Sequence, residues 1–183
     1  MTTVAGSNID RIVDGSGLPG NTPSLTGLHV KGRSSVNAWY GSPDTGNLIT
    51  FNLNGTYSLA GFSLWNFNGI NTIGIKGVNV LSSTDGTNFT AVAGAPTQFA
   101  IGADKASESP EVFSFTPVTA TYVRFQVLSN YSDPTYTGLS EVQFDSASAT
   151  AVPEPFTILG TLTAIGGGAA LKRRLKGVES KSL

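Results

Sequence analysis

One histidine and no cysteine bound the chemistry open to this chain. His29 alone admits no catalytic constellation with a second histidine and no multi-histidine metal cluster. The absence of thiols removes disulfides, thiolate metal sites and cysteine nucleophiles together. Asp and Glu fall mainly in turn-rich stretches and match no hydrolase motif, although carboxylate counting alone leaves glycoside hydrolysis open. The set that remains suits the holding of a sugar. Trp39, Tyr40, Trp65 and Tyr131 could offer ring faces to C–H surfaces, and Asn66, Asn130 and Asp133 could bond hydroxyls. Trp39 and Trp65 are more often core residues of a small sandwich. Tyr131, set between polar residues after a strand, is the aromatic expected to be exposed.

The elements that would position these groups read as strands. Charged residues make up only 13% of the chain while Gly, Ser, Thr and Asn are abundant, which favours short strands joined by turns over helices. Ile49, Phe51 and Leu53 alternate before Asn54-Gly55, a pair that tolerates positive φ and predicts a tight turn. Runs over 59–67 and 78–82 follow, and Asp85-Gly86 predicts a hairpin into 89–92. The clearest strand is 122–128, where Val123, Phe125 and Val127 alternate with Tyr122, Arg124 and Gln126. With further strands at 112–115 and around Val142 and Phe144, about seven or eight short strands are expected, in an all-β sandwich or jelly roll.

Residues 1–147 are therefore expected to form one β-sandwich domain, followed by a linker and Pro-Glu-Pro motif over 148–155. Residues 156–171, FTILGTLTAIGGGAAL, carry no charge. As a helix they span roughly 24 Å against a hydrocarbon core of roughly 30 Å, so Lys172, Arg173 and Arg174 would snorkel to complete a crossing. Those residues open a basic tail, 172–183, that the positive-inside rule puts in the cytoplasm, with the sandwich outside. Residues 1–150 hold six Lys or Arg against ten Asp or Glu, an acidic balance without a footprint for nucleic acid.

Pro153, Glu154 and Pro155, the apolar segment and the basic cluster, in that order at the C-terminus, resemble the PEP-CTERM sorting signal of Gram-negative bacteria. The resemblance implies export, an exosortase-type processing enzyme as partner, anchorage in the inner membrane before processing, and a cell-surface or extracellular-matrix destination. Met1-Thr2-Thr3-Val4 has neither a basic start nor an apolar stretch, so an in-frame leader upstream of Met1 is expected.

Val13-Asp14-Gly15, the stretch from Leu48 to Asn66, the hairpin 78–92, TYVRFQVLSNY and the closing Gly138-Leu139-Ser140-Glu141-Val142-Gln143-Phe144 resemble the discoidin family, coagulation-factor C-terminal-type domains with a galactose-binding-like jelly roll. The resemblance implies a structural Ca2+ held by Asp14 and Glu141 with carbonyls of the loop 15–17. Together the two resemblances lead to an exported, non-catalytic module that binds a matrix polysaccharide. A structural matrix protein without a ligand site is the alternative, and a glycan-active enzyme stands third.

Overall fold

The computed structural model describes residues 8–42 and 48–147. The expected linker and Pro-Glu-Pro motif, the apolar segment 156–171 and the basic tail lie outside those residues, and among the described residues no helix is long and apolar enough to cross a membrane.

Turn-forming and β-branched residues give the architecture that composition predicts. The described residues form six strands: β1 (Trp39–Gly41), β2 (Leu48–Asn66), β3 (Val78–Ser83), β4 (Thr90–Ala91), β5 (Glu111–Val127) and β6 (Thr137–Ser146). Only short 3-10 turns interrupt them, at Ile9–Ile12, Pro19–Asn21 and Asn71–Ile73. All pairings are antiparallel and the strand order is β1-β6-β2-β5-β3-β4.

The strand count is lower than expected because two pairs of expected strands are continuous. Asn54 does take a positive φ, 57°, but the chain does not reverse there. Residues on both sides of Asn54-Gly55 pair with β5, from Asn52↔Tyr122 to Tyr57↔Ala120, so the extra residues of β2 form an irregularity within one long strand. A hairpin would have paired the two flanks with each other. The long partner β5 instead lets Ile49 and Phe51, before the break, and Phe62 and Leu64, after it, reach one core. A second break, between Leu59 and Gly61, leaves two additional residues on β5. An alanine methyl at Gly61 would meet the Phe113 carbonyl oxygen at 2.2 Å, so only a residue without Cβ allows the two backbones to approach there.

Alternation on β5 runs as the sequence predicts, with Val123, Phe125 and Val127 inside. Phe62 lies at the centre of the core, its ring centroid 5.0 to 6.3 Å from those of Phe99, Phe113, Phe115, Phe125 and Phe144. The Asp85-Gly86 signal also gives the antiparallel β3–β4 pair, through a loop wider than two residues. Asp85 accepts from the amides of Thr87 and Asn88, both at 2.8 Å, and these bonds hold its carboxyl well below the usual range. β2 therefore ends, and β6 begins, at one end of the sheet, where Asn66 pairs with Leu139 and β1 pairs with Thr137 to Leu139. The loops gathered at that end carry the site described next.

Candidate functional site

Three asparagines build the loop end from within. Asn66, the last residue of β2, is buried, donates to the carbonyls of Ile75 and Ala100 at 2.7 Å each, and accepts from the amides of Phe67 and Ile75 at 2.9 Å each. It bonds both backbone groups of Ile75, much as a neighbouring strand would. Asn68 is fully buried. Its Oδ1 accepts from the Gly32 amide at 2.7 Å and the Ser140 hydroxyl at 3.0 Å, and its Nδ2 donates to the carbonyls of His29, Val30 and Ala106. Asn130 donates to the carbonyls of Asp133 and Tyr136, each at 2.8 Å, and accepts from the Ser132 amide. Asparagine suits this work because one short side chain offers two donors and an acceptor, and a buried peptide group without a partner costs about 1 to 3 kcal/mol.

The structure gives several sequence-derived ligand candidates other surroundings than an open ligand site. Asn66 and Asn130 spend their amides on loop backbone. Trp39 and Trp65 have no exposed surface, and the Trp65 indole N–H donates to the Gly27 carbonyl at 3.0 Å, so neither ring can lie against a ligand. Tyr131 is half-buried. Its hydroxyl donates to the Phe99 carbonyl at 2.7 Å and the Lys76 ammonium lies 5.6 Å from its ring centroid, which holds it apart from the cavity at this end. The signals behind these candidates were aromatic and amide residue types, which serve a core and a loop bracket as readily as a ligand.

Tyr40 is the candidate aromatic that does line a cavity. A hollow of about 530 Å3 opens among the loops, with Tyr40, Phe67 and Tyr136 along its wall. The Tyr40 and Tyr136 rings lie 4.8 Å apart between centroids, and the Tyr40 and Phe67 rings meet edge-on at 6.0 Å. Phe67 joins Ala38 and Ile73 in a small apolar cluster, separate from the main core, that backs the two tyrosines. Asp133 also lines the hollow, and its Oδ1 accepts from the amides of Thr135 and Tyr136 at 2.8 Å each, a turn that sets the direction of Tyr136. Sequence reasoning does not single out Tyr136 or Phe67, although the Asp133-Pro134 turn signal points to a fixed aromatic three residues on. Lys31, Lys105 and Ser34 add to the polar lining.

A second hollow, of about 400 Å3, lies between the first 3-10 turn, β2 and β6. Its aromatic rings, Phe51 and Phe144, are part of the core cluster and carry no polar handle. The loop-end cavity is therefore the better candidate for a hydroxyl-rich ligand.

Asp14 and Glu141 do come together. Glu141 has no exposed surface; its Oε1 accepts from the Gly15 amide at 3.3 Å and from the Gln143 side-chain amide, while Oε2 is buried with no partner. Burial, with a smaller contribution from the Asp14 charge, pushes its carboxyl up to about 8. Burial also acts to raise Asp14, but bonds from Ser16 and the charge of Arg11, 2.8 Å away, outweigh it and leave the carboxyl low. Among the described residues no group of three or more His, Cys, Asp or Glu side chains is placed to hold a metal, so a cation here would draw on loop carbonyls as well.

Buried His29 and half-buried Glu108 brace the loops behind the cavity. His29 has no exposed surface, and its ring nitrogens face the Val30 and Ser16 carbonyls at 2.6 and 3.0 Å. Burial lowers its pKa despite those carbonyls, which favour the charged ring. His29 also exchanges two backbone hydrogen bonds with Glu108, whose Oε2 accepts from the Ala103 amide at 2.6 Å; burial pushes the Glu108 carboxyl up to about 7.

Residues 13–142 match the F5/8 type C domain family. Solved structures share the fold at low identity. A family 89 glycoside hydrolase from Clostridium perfringens in complex with PUGNAc is 20% identical with a TM-score of 0.54, covering 80% of this chain and 13% of its own. The first carbohydrate-binding module, CBM32-1, of a family 31 glycoside hydrolase from Clostridium perfringens is 13% identical with a TM-score of 0.53, covering 78% of this chain and 87% of its own. The CBM32 of AlyQ in complex with 4,5-unsaturated mannuronic acid is 20% identical with a TM-score of 0.52, covering 80% of this chain and 91% of its own. This chain thus spans the length of the isolated modules and about one-eighth of the whole hydrolase, and no curated protein matches it. The antiparallel sheet, its order and the match over 13–142 together make the all-β domain a discoidin-like sandwich, and the chain belongs to the F5/8 type C domain family.

Proposed function

We propose that this domain is a non-catalytic carbohydrate-binding module that holds a polysaccharide in the loop-end cavity. The observation that carries the reading is the wall of Tyr40, Phe67 and Tyr136, built on loops that buried asparagines hold in place. A wall of fixed rings needs little ordering when a sugar arrives, and its faces suit pyranose C–H surfaces. The family membership and the likeness of the fold to CBM32 modules support the reading.

The proposal extends to the ends of the chain. Export, followed by sorting at Pro153-Glu154-Pro155 by an exosortase-type enzyme, would deliver the module to the cell surface or matrix. The apolar segment 156–171 would anchor it in the inner membrane until then, with Lys172, Arg173 and Arg174 on the cytoplasmic side. The order of motif, apolar run and basic cluster in the sequence supports this route. A structural Ca2+ at Asp14 and Glu141 belongs to the same reading. Oε2 of Glu141 is buried without a partner, an oxygen that a hard cation takes once the carboxyl is ionised, and Asp14 supplies a second carboxylate. Bound there, the ion would neutralise the buried charge and tie the N-terminal loop to β6.

Three measurements test these statements. Titrating the purified chain against a panel of neutral and acidic polysaccharides should find a ligand. Tyr136→Ala should weaken it about tenfold, whereas Tyr131→Phe, outside the cavity, should leave affinity within about twofold. Equal binding by Tyr136→Ala would move the site elsewhere, and no binding across the panel would favour the structural matrix protein. Calcium should raise the melting temperature, by the equivalent of about 2.7 kcal/mol at a hundredfold excess over Kd, and Asp14→Ala should abolish the gain. Identical melting with and without a chelator removes the ion from the account. In the source cell, mass spectrometry of the mature protein should find a chain ending near Pro155; an intact C-terminus on secreted material contradicts the sorting route.

A further inference from the structure

The charge of the cavity runs against that of the domain. Residues 1–150 carry six basic against ten acidic side chains, yet two of the six, Lys31 and Lys105, line this hollow, and Arg33 lies on the same loop as Lys31. Lys31 is exposed and makes no ion pair with any described residue. Lys105 approaches Asp104 at 3.7 Å with both side chains largely in water, a contact too weak to resist exchange for another anion.

The remaining polar lining points the same way. The one carboxylate among the described residues that line the hollow, Asp133, has Oδ1 committed to two backbone amides. Among the described residues no asparagine or glutamine side chain lines the cavity; the nearby amides of Asn68 and Asn130 are bound to loop backbone behind it. Recognition of a neutral sugar rests on amides, which donate to and accept from hydroxyls, and on carboxylates, which accept from them, whereas ammonium groups only donate. Asn68 also fixes where the two lysines stand, because it bonds Val30 and Gly32 on either side of Lys31 and Ala106 next to Lys105.

We infer that the sugar held in this cavity is an acidic one, in which a carboxylate or sulfate group meets Lys31 and Lys105 while the ring lies against Tyr40 and Tyr136. The inference rests on the carbohydrate-binding reading and adds the ligand class to it. Both lysines are exposed, so they can be changed without disturbing the fold that presents them.

The test is calorimetric titration of the full chain with polygalacturonate, its fully methyl-esterified form, dextran sulfate and a neutral galactan. Polygalacturonate or dextran sulfate should bind about tenfold tighter than the ester and the galactan, and the advantage should shrink as salt rises from about 50 to about 500 mM. Which of the two anions binds identifies uronate or sulfate as the group recognised. Lys31→Gln with Lys105→Gln should reduce the preference to about twofold or less while leaving the melting curve unchanged. Equal affinity for the ester or galactan, lost in Tyr136→Ala, would overturn the acidic ligand and leave the carbohydrate site standing. A preference that survives the double lysine substitution would also overturn it. Binding to none of the four, at any salt, would remove both.

Discussion

A single buried amide, that of Asn68, decides how the loop end of this domain is built. Its oxygen and nitrogen together reach the segment 29–32, the loop at Ala106 and Ser140 on β6, segments separated by up to 111 positions in sequence. Beyond the two backbone bonds between His29 and Glu108, no named strand pairing joins the segment 29–32 to the loop at Ala106. Without the amide, the buried Gly32 N–H would lose its acceptor, at a cost of about 1 to 3 kcal/mol, and the His29, Val30 and Ala106 carbonyls would lose the one side chain that ties them together. The same constraint excludes larger neighbours: a Cβ on Gly32 would come within 2.8 Å of the Asn68 Oδ1.

Asn66 and Asn130 repeat the device on either side, so the cavity is bounded by loops whose backbone bonds close on side chains. This arrangement separates two jobs. The sheet, centred on Phe62, supplies stability through apolar burial, and the asparagines convert that rigid frame into fixed loop positions. Tyr40 and Tyr136 can then stand partly in water without collapsing onto the core, because Phe67 and Ile73 fill the space behind them. Burial is the largest influence on the carboxyls of Glu108, half-buried, and Glu141, without exposed surface, and raises both well above an ordinary glutamate.

How much of this could be read from the sequence divides along the same line. Period-two alternation at 49–53 and 122–128 identified real core faces, because side-chain direction along a strand is local. Whether Asn54-Gly55 reverses the chain is not local: it depends on β5 being long enough to pair with both flanks. The pairing of Asp14 with Glu141, brought together from opposite ends of the domain, came from likeness to a family and no spacing rule would have produced it. The cavity was the least legible part. Its asparagines have the composition of a sugar site and the bonding of a scaffold, and Trp39 and Trp65 have the faces of a platform but lie where no solvent reaches. Tyr136 becomes identifiable only once Asp133 is known to accept its amide.

The central claim is that the loop end is preorganised by side-chain amides before any ligand arrives. Amide hydrogen exchange on the ligand-free protein addresses it directly, at the three N–H groups of Gly32, Phe67 and Ile75, whose acceptors are the Asn68 and Asn66 oxygens. If the account is right, these loop amides exchange as slowly as those of Val123 and Phe125 in β5, opening only with the domain as a whole. Exchange at the rate of an open loop, with protection gained only on adding polysaccharide, would show that the ligand and not Asn68 organises the site.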